Sequence, residues 1–223
     1  MTTMPILLPN EDSLTPVPMK KVKYPMNLDA EPLVVQFVLG QLTVRFLRPG
    51  DEHIIPKMRQ LLKYRRDLEG NRDFLGEGFY IPKTKWCHMK PVNQNFHVIA
   101  LLTQPNSTNQ ILAGVCTFTR SSSIGTIVQI KKNFALNNSL TSLVEPSLID
   151  FVEARLWEVP NIKEIRINAD NDNTNFQTIL STRNPPYIYD MIRKESHKYK
   201  KEVCLALTRG EAMDCRQGGD RQN

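Results

Sequence analysis

The chain has 223 residues, enough for one well-packed domain with an appendage and short of two full domains. Its 40% hydrophobic and 8% aromatic content excludes a disordered or fibrous class. An excess of 29 basic over 23 acidic residues leaves a net charge of +6, which favours anionic partners in general: nucleic acid, an acidic membrane or a polyphosphate cofactor.

Residues 1–30 carry five prolines, a basic patch at Lys20, Lys21 and Lys23, and no sustained period, so an N-terminal arm is expected there. A single domain is expected over 31–209. It opens with two strand-like runs, LVVQFVLG and LTVRFL, with Gly40 and Gln41 as the turn of a hairpin. Ile54, Met58, Leu61 and Leu62 then fall at helical spacing, with Pro56 in the first turn, where its missing N–H does little harm. The stretch 69–95 is rich in glycine, aromatic and charged residues and has no clear period.

Beyond it the pattern sharpens. FHVIALLT, ILAGVCTFT and GTIVQIKKNF read as three strands joined by short turn-rich loops, an antiparallel meander. Leu148, Ile149, Val152 and Leu156 mark the inward stripe of a helix, with Pro146 near its start and Pro160 beyond its end. KEIRINA is a strand, NTNFQTILSTR a short helix, and YIYDMIR and EVCLALTR two more strands. Residues 210–223 are polar and glycine-bearing, and a disordered tail is expected.

The four cysteines, Cys87, Cys116, Cys204 and Cys215, include no CxxC pair. Cys116 and Cys204 sit in apolar strand patterns as inert buried thiols, which points to a reducing compartment, the cytoplasm. The start of the chain lacks the basic and apolar regions of a signal peptide, and no apolar run approaches membrane-spanning length. Four histidines and four cysteines show no ligand spacing, so no metal is expected. Trp86, Cys87 and His88 are adjacent and therefore point to alternate sides of an extended chain, which favours a tryptophan-anchored loop over a thiol–imidazole pair. The run RKESHKYKK reads as a solvated hairpin loop, with phosphate contact through Lys194, Lys198, Lys200 and Lys201 as the alternative.

Residues 124–175 hold the strongest functional signal. A strand leads through a polar loop into a helix, and free backbone N–H groups with the helix dipole make such a place an anion seat. The loop contains no glycine.

The order of elements over 42–209 resembles that of the GCN5-related N-acetyltransferase (GNAT) superfamily. TVRFLRPGDEHI is similar to the family's first strand with its Arg and following Asp, Gly114 in ILAGVCTF falls where the family often has a glycine, and DNDNTNFQTIL resembles the Asn-bearing start of its fourth helix. The resemblance implies an α+β fold with a mixed, mostly antiparallel, splayed sheet flanked by helices. It implies acyl-CoA, typically acetyl-CoA, as cofactor. The strand backbone at Val128, Ile130 and Lys132 would hold pantetheine, and Asn138, Ser139, Leu140, Thr141 and Ser142 the pyrophosphate. Asn173 and Asn175 would complete the cofactor site, and Glu77, Tyr80 and Trp86 would wall the acceptor site.

Family members often carry a Glu base on the fourth strand, where this chain has Gln129. They often place a Tyr acid about seven residues after the helix Asn. Counting from Asn173 and Asn175 reaches Leu180 and Thr182, so the nearby Tyr187 and Tyr189 are the candidate acids. The resemblance thus implies an N-acyltransferase that moves an acetyl group to an amine of a small molecule or protein by direct attack in a ternary complex. The missing glycines and Gln129 motivate a second reading, a catalytically inactive module that binds a protein partner. Nucleic-acid binding through the basic surface is the third.

Overall fold

The computed structural model describes residues 25–38, 40–60, 86–88, 95–120, 126–135, 138–170, 174–194 and 201–212. Ten strands appear among them: β1 (Pro25–Asn27), β2 (Leu33–Phe37), β3 (Gly40–Phe46), β4 (Trp86–His88), β5 (Phe96–Thr103), β6 (Gln110–Arg120), β7 (Ile127–Ala135), β8 (Glu164–Asp170), β9 (Ile188–Lys194) and β10 (Lys201–Thr208). A 3-10 turn, Glu52–Ile54, runs into helical residues 55–60, here α1. A second 3-10 turn, Asn138–Leu140, precedes α2 (Thr141–Trp157), and α3 (Thr174–Ser181) follows β8.

Eight strands form one mixed sheet in the order β2-β3-β5-β6-β7-β8-β10-β9, while β1 and β4 make a separate antiparallel pair. Every pairing in the large sheet is antiparallel except β7 with β8, whose crossover is α2. The predicted meander is β5, β6 and β7. The predicted hairpin is β2–β3 with its turn displaced: Phe37 pairs with Gly40, so Gly40 opens the second strand. Gly40 has φ +134°, and a Cβ there would collide with the Thr103 carbonyl, so glycine is required at a strand start and not at a turn centre.

The apolar alternation of the strands sorts the core onto two faces. On one, Leu42, Phe46, Phe118, Ile130 and Ile167 meet Leu148, Phe151 and Val152 of α2. Phe151 stands edge-on to Phe46 with ring centroids 5.1 Å apart. The other face packs Ile54 and Met58, two of the four residues at predicted helical spacing, against Leu101, Val115 and Phe134. Met26 and Leu28, within the expected arm, are buried in the first core, as is Ala212 at the other end. Arg45 forks onto Asp51 at 2.6 and 2.8 Å, and Asp51 also accepts the Arg48 N–H, so the Arg and Asp singled out from TVRFLRPGDEHI tie β3 to the start of α1.

Candidate functional site

Hydrogen-bond register locates an opening in the sheet. The parallel ladder of β7 and β8 runs from Ile127–Glu164 to Ile130–Ile167 and stops, although β7 continues to Ala135 and β8 to Asp170. A bulge accounts for the break. Against β6, Thr117 pairs with Lys132 and Phe118 with Ile130, leaving Lys131 as the extra residue. A bulge bends its strand and raises the local twist, so β7 swings away from β8 from Lys131 onward. The result is a wedge with its apex at Ile130 and Ile167. One wall is Lys131–Ala135, backed by β6; the other is Asn168–Asp170, backed by β10.

This register corrects part of the expected cofactor contact. Val128 and Ile130 lie inside the paired ladder, with buried side chains, so their stretch of strand is committed to β8. The open edge begins one residue later and includes Lys132. A single inserted residue caused the shift, and alternation alone does not reveal a bulge.

At the mouth of the wedge the chain enters α2. Its N-cap, Leu140, supplies no side-chain cap to the start of this 17-residue helix, whose dipole favours an anion there. Asn138, Ser139, Leu140, Thr141 and Ser142 all sit here, Ser139 and Ser142 exposed and Leu140 and Thr141 partly buried. Among the described residues Asn106 is the one non-glycine with positive φ. The stretch 138–142 therefore winds into the helix without the left-handed conformation for which glycine would be needed. Behind it, the buried Glu145 accepts the Ala135 N–H at 3.2 Å, and Asn133 Nδ2 donates to the Glu145 carbonyl at 3.3 Å. These bonds fasten α2 to the outer wall and use one donor of the open edge. The remaining edge and the helix start still fit an elongated ligand with an anionic end.

On the face of the sheet away from α2, polar side chains cross the apex. Gln129 Nε2 donates to Asn168 Oδ1 at 2.9 Å, joining the two strands where they part. Thr119, paired with Gln129, is buried. One strand further, His97 Nδ1 and Thr117 Oγ1 are 3.0 Å apart, and both residues are buried. Sequence reading passed over His97, Thr117 and Asn168. Their signal was a polar residue at alternate positions of otherwise apolar strands.

The expected acids are placed elsewhere. Tyr187 is buried, and its hydroxyl donates to Glu153 Oε1 of α2 at 2.7 Å. Burial, reinforced by the Glu153 carboxylate, pushes the phenol well above its ordinary range. That suits an anchor between α2 and the entry to β9, not a group that releases its proton. Tyr189 pairs with Leu205 on β9, the edge strand two strands from β8 and roughly 10 Å beyond it. Asn175 belongs to the first turn of α3, and Trp86 pairs with Asn27 in the small sheet. Glu77, Tyr80 and Asn173 lie outside the described residues.

Burial pushes the Cys116 thiol far up, in keeping with an inert core cysteine, and Cys204 is likewise buried. Among the described residues no three His, Cys, Asp or Glu side chains gather as metal ligands, and no helix is long and apolar enough to cross a membrane.

No protein-family model matches the chain, and no curated protein matches it. Solved structures do. Aminoglycoside acetyltransferase AAC(6')-Ib in complex with coenzyme A and kanamycin is 14% identical, with a TM-score of 0.57 over 78% of this chain and 99% of that one. A probable acetyltransferase from Staphylococcus epidermidis is 19% identical, with a TM-score of 0.52 over 75% and 99%. Mutant forms of the spermidine/spermine N-acetyltransferase SpeG from Vibrio cholerae are 10% identical, with a TM-score of 0.50 over 78% and 98%. The α+β fold expected from the GNAT resemblance, a mixed sheet of eight strands flanked by helices, is the fold this chain has.

Proposed function

We propose that the chain is an acyl-CoA-dependent N-acyltransferase, moving an acetyl group to an amine by direct attack with both substrates bound. The observation that carries this reading is the wedge itself: both strands outlast their ladder, and an uncapped helix start stands at the mouth. A strand edge without a neighbour offers backbone donors and acceptors to an amide-bearing chain such as pantetheine, as another strand would. The first turn of α2 would receive the pyrophosphate, with Ser139, Thr141 and Ser142 adding hydroxyl donors. That one of the similar structures holds coenzyme A supports the same reading. When bound, acyl-CoA supplies the activated acyl group; the chain's own part is to hold it along Lys131–Ala135 and keep the amine near the apex.

Titration calorimetry with acetyl-CoA tests the proposal. Binding at micromolar concentration is expected, and its absence at high micromolar concentration sinks the reading. A non-catalytic interaction module is the second reading, favoured by Glu145, which already holds one edge donor, and by Tyr187, whose hydroxyl is hydrogen-bonded to Glu153. Robust turnover of any amine eliminates it.

A further inference from the structure

The large sheet ends differently at its two edges. At one, β9 carries Asp190, Arg193 and Lys194 within seven residues; at the other, β2 reads LVVQF and carries no charge. The nearest charged residues along the chain, Glu31 and Arg45, both lie outside that strand. Charges, prolines and bulges are what keep an open edge from recruiting another strand. Within β2 there are none of these, and Pro32 stands ahead of its first rung. Its five rungs against β3 run without a register shift, and among the described residues no strand pairs with its outer side. The side chains sort onto two faces. Leu33, Val35 and Phe37 are half-buried at the rim of the main core, while Val34, 47% exposed, and Gln36 face solvent on the other side.

This strand is also its own complement. Laid antiparallel against a second copy about a two-fold axis at Val35, Leu33 falls opposite the partner strand's phenylalanine, Val35 opposite its equivalent, and Val34 opposite the glutamine. Facing positions differ by an even number of residues, so every side chain keeps its face. The half-buried Leu, Val and Phe of both copies then cover one another, and no like charges meet. The same operation on β9 sets Ile188 against a lysine and Asp190 against an isoleucine, charge against apolar. Pairing β2 of one copy with β9 of the next would be head-to-tail and open-ended, whereas β2 with β2 closes at two.

We propose that β2 is a homodimer seam: two copies of the chain pair their β2 strands antiparallel about Val35, which doubles the eight-stranded sheet. The wedge is unaffected, because β7 lies four strands away, roughly 19 Å. Five rungs make a small interface, so the dimer exchanges readily, with a dissociation constant of about 10–100 μM.

Sedimentation equilibrium of the full chain over roughly 5–500 μM tests this and is expected to show monomer passing to dimer, with nothing larger. Val34→Glu combined with Gln36→Glu sets like charges opposite each other on two rungs and alters only exposed positions. That variant, and the matching pair Val34→Lys with Gln36→Lys, should each dimerise at least tenfold more weakly. An equimolar mixture of the two variants should recover dimer, now mixed and weakened by salt. Hydrogen exchange at alternate amides of residues 33–37 should slow as the native chain is concentrated, and should not do so in the glutamate variant. A chain that stays monomeric throughout the range overturns the proposal. So does an undiminished dimer of the glutamate variant, a mixture that stays monomeric, or assembly that grows past two. Protection of every amide of 33–37 in the dilute monomer would show that another part of the same chain covers the edge, and would overturn it equally.

Discussion

Tyr187 donates its hydroxyl to Glu153 at 2.7 Å, across 34 residues of sequence, and the bond closes a chain of charges that includes Arg183 and Asp150. Arg183 reaches the second Glu153 oxygen at 3.2 Å and also bonds Asp150, so two residues of the connection between α3 and β9 meet on one α2 carboxylate. Removing the phenol leaves a buried acceptor short of a donor, a loss of about 1–3 kcal/mol. Tyr187→Phe should therefore unfold at lower denaturant. A general acid contributes roughly 100-fold or more, so acetyl transfer per folded molecule that falls less than tenfold identifies an anchor. A 100-fold loss would restore Tyr187 as the acid.

Glu153 gives this network a pH signature. Burial is the largest influence and lifts its pKa, against the lowering pull of the Arg183 charge and the Tyr187 hydrogen bond. A carboxyl raised above its ordinary 4.5 binds its proton more tightly in the folded chain than in the unfolded one. Its contribution to stability is full below pH 4.5 and fades as pH climbs through the folded value. Thermal unfolding followed from pH 4 to 8 should show that decline in the native chain and a flatter line in Glu153→Gln. An unchanged slope would remove Glu153 as its source.

Gly114 allows α2 to lie close on the sheet. A Cβ there would overlap Val144 Cγ1 and stand 3.0 Å from the Phe134 carbonyl and 3.2 Å from Leu148 Cδ1. Gly114→Ala should cost about 1–3 kcal/mol by overpacking and displace the start of α2, weakening acetyl-CoA. Adding Val144→Ala relieves the worst overlap while leaving the carbonyl contact, so the pair should recover part of the loss. A double-mutant cycle by urea unfolding reads the coupling, and strict additivity would refute the packing account.

Much of this fold is legible in the chain because its strands alternate cleanly and α2 carries a regular apolar stripe closed off by Pro160. FHVIALLT matches β5 to the residue, and the stripe Leu148, Ile149, Val152 and Leu156 is buried as spacing requires. The Gly114 signal was also real, although its reason is helix packing. The wedge was less legible. Lys131 looks like any strand lysine, and only register against β6 shows it to be extra. Tyr187 stands out in the sequence only as a tyrosine near the counted positions Leu180 and Thr182, which says nothing about Glu153, 34 residues away. Gln129 was noticed for what it lacks, whereas its place in the site depends on Asn168, 39 residues on. Long-range pairs of this kind are set by topology, and local pattern does not encode them.

The far end of α2 depends on Arg209. Its guanidinium donates to the carbonyls of Ile162, Trp157 and Val159 at 2.6, 3.1 and 2.6 Å and lies 5.3 Å from the centre of the Trp157 ring. Two of those carbonyls belong to the unsatisfied end of the helix and the turn beyond it, where a cation is favoured. Arg209→Ala should cost about 2–4 kcal/mol in urea unfolding. Arg209→Lys keeps the charge and loses the fork, so it should fall between. Equal stability of the lysine variant and the native chain would show that charge alone suffices.

Glu145 offers the most direct test of the glycine-free seat. It is the fifth residue of α2, about 6 Å along the axis from Thr141, and its carboxylate accepts the Ala135 N–H at the wall. Glu145→Gln keeps an oxygen for that bond and removes the charge. If phosphate groups settle on the first turn of the helix, a carboxylate some 8 Å away opposes them by about 1 kcal/mol at an intermediate dielectric. Calorimetry at pH 8 should then find acetyl-CoA bound about fivefold more tightly by Glu145→Gln, with little change in melting temperature. Pantetheine, which carries no phosphate, should bind both chains alike. Equal gains for the two ligands would place the effect at the open strand edge, and no gain for either would move the phosphates away from α2.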